Sequence, residues 1–319
     1  MKTTLFTCAL SLFSTLVSGA TFSNPLRTRN GSDPFLVYVD GYYYLMTTTW
    51  RDLQIIRAKT LEGLKTGESK TIYTMANPKP EGNDVWAPEL HKVDGTWYVY
   101  YSQDRFSWVL TGGSTPWGEY TDNKRVHEEW GIDGTVAEIP GWGNYYVFSC
   151  ERDELQSLCI AKMKNATSVG SIELLSQPLE PWERVEIPVN EGPAALHHGN
   201  RTWIAYSASF CKTPDYQIAT LLWDGKGDPL KQSSWKKSDG PLFSSANGNY
   251  GTAHNFFFTS PDGTEIWNIY HATQNSSGSC GSDRQTFAQK VNWNADGSPD
   301  FGIPVKAGEI LQAPSGEQA

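Results

Sequence analysis

Long hydrophobic runs are nearly absent from the 319-residue sequence. Beyond residue 20, no stretch approaches the roughly 18 consecutive apolar residues that a membrane-spanning helix needs. At the start, Lys2 precedes an apolar stretch from Leu5 to Val17 and the small residues Ser18-Gly19-Ala20. This arrangement is typical of a cleaved signal peptide. We therefore predict a signal peptide at residues 1–20 and a secreted, soluble mature protein that begins near Thr21, with no membrane partner.

Runs of basic residues are also absent. The sequence has 26 Lys and Arg against 35 Asp and Glu, which gives a net charge of -9 and a pI near 5.2. A protein that binds a phosphate backbone needs a basic surface, so this charge argues against a nucleic-acid partner.

Cysteines are few, and none are spaced as C-x-x-C, which argues against a zinc site. Cys8 leaves with the predicted signal peptide, so four remain in an oxidising compartment and allow three pairings. The short loop between Cys150 and Cys159 favours that pair, and Cys211 with Cys280 follows by elimination. Four glycosylation motifs also fit a secreted protein. They begin at Asn30, Asn165, Asn200 and Asn275.

Helical periodicity is missing as well, because no segment keeps it for three turns. Short alternating or aromatic-rich runs, bounded by Gly, Asn, Asp and Pro, indicate β-strands instead. The predicted strands are Phe35 to Val39, Tyr42 to Thr48, Gln54 to Ala58, Trp97 to Ser102, Tyr145 to Cys150, Ser157 to Met163, Thr202 to Ala208, Gln217 to Leu222, Ile266 to Ala272 and Phe287 to Trp293. No linker separates a second module, so we predict one all-β domain over residues 21–319.

A Gly-aromatic strand signature occurs five times. The glycines are Gly41, Gly95, Gly143, Gly199 and Gly263, separated by 54, 48, 56 and 64 residues. Such a period is typical of propeller blades, and the number of strands exceeds that of a sandwich. We predict a five-bladed β-propeller.

An acidic residue or a histidine comes six to ten residues before each signature. These residues are Asp33, Glu89, Asp133, Glu191 and His254. Each alone is also compatible with a turn or a core position, as Asp33 before Pro34 illustrates. Their matching positions in the repeat predict that they converge on the central channel, because the innermost strand of every blade faces it.

Carboxyl groups in one channel suggest glycoside hydrolysis. That reaction needs one protonated carboxyl group to assist the leaving oxygen and one ionised carboxylate to activate water. A third carboxylate can raise the pKa of the acid. Asp33, Glu191 and Asp133 can supply the three, and an aromatic content of 13% offers platforms for sugar rings.

The sequence resembles glycoside hydrolase family 43, whose members are five-bladed propellers that invert anomeric configuration. The resemblance runs from about Asn24 to Gly308. It rests on Ser32-Asp33-Pro34-Phe35, Trp86-Ala87-Pro88-Glu89-Leu90-His91, Ile132-Asp133-Gly134, Glu191-Gly192-Pro193 and Gly251-Thr252-Ala253-His254-Asn255.

The resemblance implies a role for each of these residues. It implies Asp33 as general base, Glu191 as general acid and Asp133 as the group that tunes and orients the acid. It also implies that His254 lies deep in the channel near water or a metal ion, such as calcium, and that Arg284 reaches the pocket. No cofactor is expected to be required. Trp86 is either a stacking platform or a core ring, and we expect Glu89 to be a hydrogen-bonding support at the substrate site.

The phrases Thr60-Leu-Glu-Gly-Leu-Lys, Tyr250-Gly-Thr-Ala-His-Asn and Pro299-Asp-Phe-Gly-Ile-Pro are most similar to family members that release arabinose. We therefore expect a monomeric α-L-arabinofuranosidase that acts on arabinan or arabinoxylan of plant cell walls. A β-xylosidase, an endo-arabinanase and a non-catalytic sugar-binding propeller are the alternatives. Loops at Gln103 to Trp117 and Gln274 to Asp283 are expected to shape the mouth of the channel.

Overall fold

The computed structural model describes residues 19–76 and 84–318. Within these residues the regular structure is almost entirely β, with three short 3₁₀ helices at Glu62–Thr66, Pro181–Glu183 and Gln232–Ser234. Five antiparallel sheets stand around one axis, and their first strands contact each other in a closed ring. The predicted five-bladed propeller is confirmed.

Each of the first four blades has four sequential strands. Blade 1 consists of β2 (Phe35–Val39), β3 (Tyr42–Met46), β4 (Asp52–Ala58) and β5 (Glu68–Thr74). Blade 2 consists of β6 (Val85–Val93), β7 (Thr96–Gln103), β8 (Phe106–Thr111) and β9 (Thr121–Arg125). Blade 3 consists of β10 (Gly131–Ile139), β11 (Gly143–Arg152), β12 (Leu155–Asn165) and β13 (Ser168–Ser176). Blade 4 consists of β14 (Asn190–His198), β15 (Arg201–Ala208), β16 (Gln217–Trp223) and β17 (Trp235–Lys237).

Blade 5 has three strands, and the segment that follows β1 lies along its last strand. Its strands are β18 (Tyr250–Thr259), β19 (Ile266–Thr273) and β20 (Gln285–Lys290). The remaining short strands are β1 (Thr21–Ser23), β21 (Asn292–Trp293), β22 (Pro299–Asp300) and β23 (Ile310–Gln312). The segment after β1 runs antiparallel to β20, with Arg27 opposite Thr286. The Asn24 side chain bonds the backbone N–H and C=O of Ala288, and β1 pairs with β23. The N-terminal segment therefore joins the first blade to the last.

The hydrophobic core is divided into five parts, one between each pair of neighbouring blades. Tyr100 and Val109 of blade 2, for example, pack against Tyr146 and Phe148 of blade 3. Because aromatic side chains bury a large apolar area, the Gly-aromatic signature marks a strand that packs into the cores on both sides of its blade, as Tyr43 and Tyr44 of blade 1 do.

The structure differs from two of the sequence-based predictions. The predicted mouth loop from Gln103 to Trp117 contains strand β8, which a two-residue turn at Asp104 and Arg105 connects to β7. Both turn residues have positive φ, of 50° and 66°, the conformation that tight hairpins require. The predicted strand from Phe287 to Trp293 is divided into β20 and β21. The Val291 N–H still bonds the Ile266 carbonyl, one step beyond the Trp267–Lys290 pair, but Asn292 and Trp293 then pair with Asp300 and Pro299 in a separate two-stranded sheet.

Both predicted disulfides are confirmed, as Cys150–Cys159 and Cys211–Cys280. No helix in the described part of the chain is long and apolar enough to cross a membrane. Residues 1–18 of the predicted signal peptide lie outside the described residues, and glycosylation stays a prediction.

Candidate active site

The same irregularity occurs near the start of the first strand in every blade. One residue there adopts left-handed backbone geometry, with φ between +41° and +56°. In blades 2 to 5 the pairing with the second strand shifts at this point, as in a β-bulge. The five residues, in blade order, are Asp33, Ala87, Asp133, Gly192 and His254.

Side chains from the preceding blade accept hydrogen bonds from four of these left-handed residues. The backbone N–H of Asp133 donates to Ser102 Oγ at 2.9 Å, and that of His254 donates to Ser207 Oγ at 2.8 Å. The Asp33 N–H donates in the same way to His271 Nδ1 at 3.1 Å, and the Ala87 N–H to Thr48 Oγ1 at 2.8 Å. Cross-blade hydrogen bonds thus fix the backbone from which the channel-facing side chains project.

Glu191 and Glu89 occupy different positions relative to the left-handed residue of their own strands. Glu191 immediately precedes the left-handed Gly192, so it corresponds to Trp86 and Ile132 in blades 2 and 3. Glu89 comes two residues after the left-handed Ala87. Its carboxylate lies 2.6 Å from Nε2 of His91.

A cavity of about 190 Å³ opens at the end of the channel where the bulges lie. Its lining residues are Asp33, Trp50, Trp86, Ile132, Asp133, Glu191, Cys211, Tyr216, His254, Cys280 and Arg284. Six of the seven predicted site residues are among them, and Glu89 is not. The volume is below the 300–1,000 Å³ typical of sites for drug-sized ligands. The cavity therefore suits one small sugar unit.

Asp33 is held as a carboxylate. Its Oδ1 accepts from Arg284 Nη1 at 3.1 Å, and its Oδ2 accepts from Thr48 Oγ1 at 2.5 Å. Burial alone would raise the pKa of Asp33, but the charges of Arg284 and His254 outweigh it and hold the pKa well below its usual range. His271 stays neutral because burial, followed by the Arg284 charge, lowers its pKa to about 3.

For Glu191 and Asp133, the surroundings raise the pKa instead of lowering it. Burial, followed by the nearby Glu191 and Asp33 charges, raises the pKa of Asp133 to about 7 against the opposing effect of His254. Burial also raises the pKa of Glu191, although His254 and hydrogen bonds from Tyr216 and Gln156 partly oppose it. The two carboxyl groups therefore retain a proton in the pH range where Asp33 is already ionised.

His254 lies between the carboxylates. Its Nδ1 is 3.3 Å from Asp33 Oδ1 and 3.8 Å from Asp133 Oδ2. Burial lowers the pKa of His254, but the charges of Asp33, Asp133 and Glu191 outweigh it and raise the pKa. The described residues contain no group of three or more His, Cys, Asp or Glu suited to a metal ion. An ion near His254, bound through water, stays a prediction.

Sequence reasoning missed two residues that contact the predicted acid. Gln156, at the start of β12 in blade 3, donates Nε2–H to Glu191 Oε2 at 2.7 Å. Tyr216, just before β16, is hydrogen-bonded to Glu191 and stacks on His271 with ring centroids 5.6 Å apart. Neither residue occupies the repeated position, so the repeat gave no signal for them. Trp50, which follows β3, was also missed.

An ionised carboxylate, a proton-holding carboxyl pair and two indole rings around a small cavity define a glycoside hydrolase site. Residues 22–299 match the model of glycosyl hydrolases family 43. The chain belongs to this family.

Individual proteins are also similar to this chain in sequence and in structure. The chain is 35% identical to an extracellular exo-alpha-(1->5)-L-arabinofuranosidase of Streptomyces avermitilis, over 95% of this chain and 70% of the relative. It is 31% identical to alpha-L-arabinofuranosidase 43 of Humicola insolens, over 97% of this chain and 70% of the relative. The crystal structure of an alpha-L-arabinofuranosidase from Lactobacillus brevis superposes with a TM-score of 0.80 at 29% identity, covering 90% of this chain and 98% of that one.

Proposed function

We propose that this protein is an inverting, exo-acting α-L-arabinofuranosidase. The observation that carries the proposal is the difference between the carboxyl groups in one cavity. Asp33 is ionised by its cationic neighbours, whereas Glu191 and Asp133 keep a proton between them. A hydrolytic site needs both states at the same pH.

Each residue then has one task. Asp33 takes a proton from a water molecule, and the water oxygen attacks the anomeric carbon. The glycosidic bond breaks on the opposite face, where Glu191 gives its proton to the leaving oxygen. The sugar is released with inverted configuration. Asp133 shares the retained proton with Glu191, so ionisation of either group disfavours ionisation of the other, and Arg284 and His254 keep Asp33 ionised.

The small cavity supports action on one terminal sugar rather than within a long chain. The names of the relatives support arabinofuranose as that sugar and arabinan as one natural source. We propose arabinan or arabinoxylan as the polysaccharide. Trp50 and Trp86 line the cavity and offer indole faces for the apolar side of the ring.

The proposal also covers where the protein acts, in which oligomeric state and with which cofactor. The first relative is named extracellular, and the two disulfides fit an oxidising compartment. We propose that the protein acts outside the cell, as a monomer and without a cofactor.

A substrate panel tests the proposal. Purified protein is incubated with linear α-1,5-arabino-oligosaccharide, branched arabinoxylan and an aryl β-xyloside, and the products are separated by chromatography. We expect free arabinose from the linear substrate from the first minutes, with little xylose. Early release of arabinobiose and longer products would indicate an endo-arabinanase, and xylose as the main product would indicate a xylosidase. Binding without hydrolysis would contradict an enzyme altogether.

A further inference from the structure

One of the two disulfides forms part of the cavity wall. Cys211 and Cys280 both line the cavity, and both are half-buried rather than fully buried. Cys211 follows strand β15 of blade 4, whereas Cys280 lies between β19 and β20 of blade 5. The bond therefore connects two loops of neighbouring blades at the mouth of the cavity.

The loop that contains Cys280 also delivers Arg284. The Arg284 guanidinium donates to the Cys280 carbonyl at 2.9 Å and to the Gly281 carbonyl at 3.2 Å. A further N–H of the same group reaches Asp33 at 3.1 Å. The carbonyl of the disulfide-bonded residue thus helps to aim the cation at the predicted base.

The same loop is packed closely against blade 4. Gly278 has a φ of +81°, and a Cβ there would lie 2.4 Å from the Thr213 backbone, two residues after Cys211. Asp283, which precedes Arg284, bonds the hydroxyl groups of Thr273 and Ser279. Beyond β19 the loop has no strand pairing of its own until β20 begins, so the disulfide is its covalent attachment to the neighbouring blade.

We propose that the Cys211–Cys280 disulfide is a positioning element for Arg284 and, through it, for the ionisation of Asp33. Without the bond, the loop keeps only its noncovalent contacts with blade 4, and the guanidinium moves away from Asp33 for part of the time. The base then ionises at higher pH, and the cavity wall that meets the sugar loosens. This inference rests on the proposed function only where it concerns substrate.

The test measures the pKa of Asp33 directly in a variant that lacks the Cys211–Cys280 disulfide. Wild-type protein and Cys211→Ser/Cys280→Ser are prepared with ¹³C-labelled aspartate, and the Asp33 carboxyl resonance is titrated by NMR. Removing an adjacent cation raises a carboxyl pKa by up to about 1–3 units, so partial loss of Arg284 should raise the Asp33 pKa by about 1 unit. On a pentoside that the wild type cleaves, the acid limb of kcat/KM should move upward with it and KM should rise severalfold.

Cys150→Ser/Cys159→Ser is the matched control. That disulfide joins paired strands β11 and β12 in the interior and does not line the cavity. Its loss should reduce thermal stability without moving the Asp33 titration. If the first variant does not fold, brief phosphine reduction of folded wild type, with mass mapping of the opened pair, replaces it. The half-buried Cys211–Cys280 pair should open first.

An unchanged Asp33 titration after loss of Cys211–Cys280 would overturn the inference, as would an equal shift in the control. Failure of the wild type to hydrolyse any pentoside would contradict the proposed function instead. The NMR titration would still decide the role of the disulfide.

Discussion

Asp33 and Glu191 carry the same functional group, but their neighbours differ. Asp33 has a guanidinium at 3.1 Å and an imidazole at 3.3 Å, whereas Glu191 accepts mainly from the neutral donors Gln156 and Tyr216. A cation favours the charged form of a nearby acid far more than a neutral donor in the same buried setting. These neighbours give the two carboxyl groups different protonation states at one pH.

The two predicted catalytic residues should respond differently to the leaving group. Asp33→Asn and Glu191→Gln should each lower kcat about 10²–10⁴-fold on arabino-oligosaccharide, the usual contribution of a general base or acid. On an aryl arabinofuranoside with a good leaving group, Glu191→Gln should recover much of its activity, because the leaving oxygen needs no proton. Asp33→Asn should not recover. Steady-state kinetics on both substrates checks this, and near-normal activity of either variant on the oligosaccharide would refute its assigned role.

Asp133 should affect the alkaline side of the pH profile. When Asp133 is ionised it disfavours ionisation of Glu191, so Asp133→Asn should lower the pKa of Glu191 and move the alkaline limb of kcat/KM to lower pH. The acid limb, which Asp33 controls, should lie below the ordinary aspartate value because the pKa of Asp33 is depressed. An unshifted alkaline limb together with a large loss of thermal stability would make Asp133 a structural residue only.

Position in the repeat explains what the sequence could predict at this scale. Asp33, Asp133 and His254 share one structural position, and Glu191 is one residue away from it. Glu89 has the right chemical type but lies beyond the bulge, where His91 binds it. Gln156 and Tyr216 reach Glu191 from a third strand and a loop of other repeat positions, which only the folded structure brings together.

At the scale of elements, the bulge explains which strands were missed. The first strands of blades 2 to 5 contain Pro, Gly or Asp near the left-handed residue, and these residues indicate turns in a sequence. The aromatic second strands have no such interruption and were predicted well. The outermost strand of blade 2 was missed for a different reason, since β9, Thr121–Arg125, is polar and largely exposed. The Pro, Gly and Asp residues that shape the site therefore also make its strands hard to predict from the sequence.

Gly134 links the bulge to blade packing. A Cβ at this position would lie 1.8 Å from the hydroxyl oxygen of Tyr146, a fully buried ring in the core between blades 2 and 3. Only glycine leaves room for this ring directly after Asp133. Gly134 therefore serves the packing between the blades as well as the bulge at Asp133.

Gly134→Ala should consequently destabilise the protein by about 1–3 kcal/mol, the usual cost of overpacking a core. It should also reduce kcat, because Asp133 is displaced with the backbone. Gly113→Ala is the matched control, since nothing lies within 4 Å of a Cβ there and its φ is not positive. Chemical denaturation of both variants measures the difference, and equal stability would show that Tyr146 can move aside.

At the scale of the whole molecule, closure of the ring brings the site together. Asp33, Asp133, Glu191 and His254 come from four blades, and their spacing depends on the five interblade cores and on the N-terminal segment that covers blade 5. A repeat of period 48 to 64 residues predicted this convergence from the sequence. The closing contacts of Asn24 and Arg27 could not be predicted, because they join residues more than 250 positions apart through irregular backbone.

The stereochemistry of the first product tests the central claim most directly. Wild-type protein is mixed with linear α-1,5-arabino-oligosaccharide, and proton NMR follows the anomeric signals before mutarotation. If Asp33 acts through water while Glu191 protonates the leaving oxygen, β-arabinofuranose must appear first and the α-anomer only later. Initial appearance of the α-anomer would show a covalent intermediate on the enzyme and would contradict the assignment of Asp33 as a base.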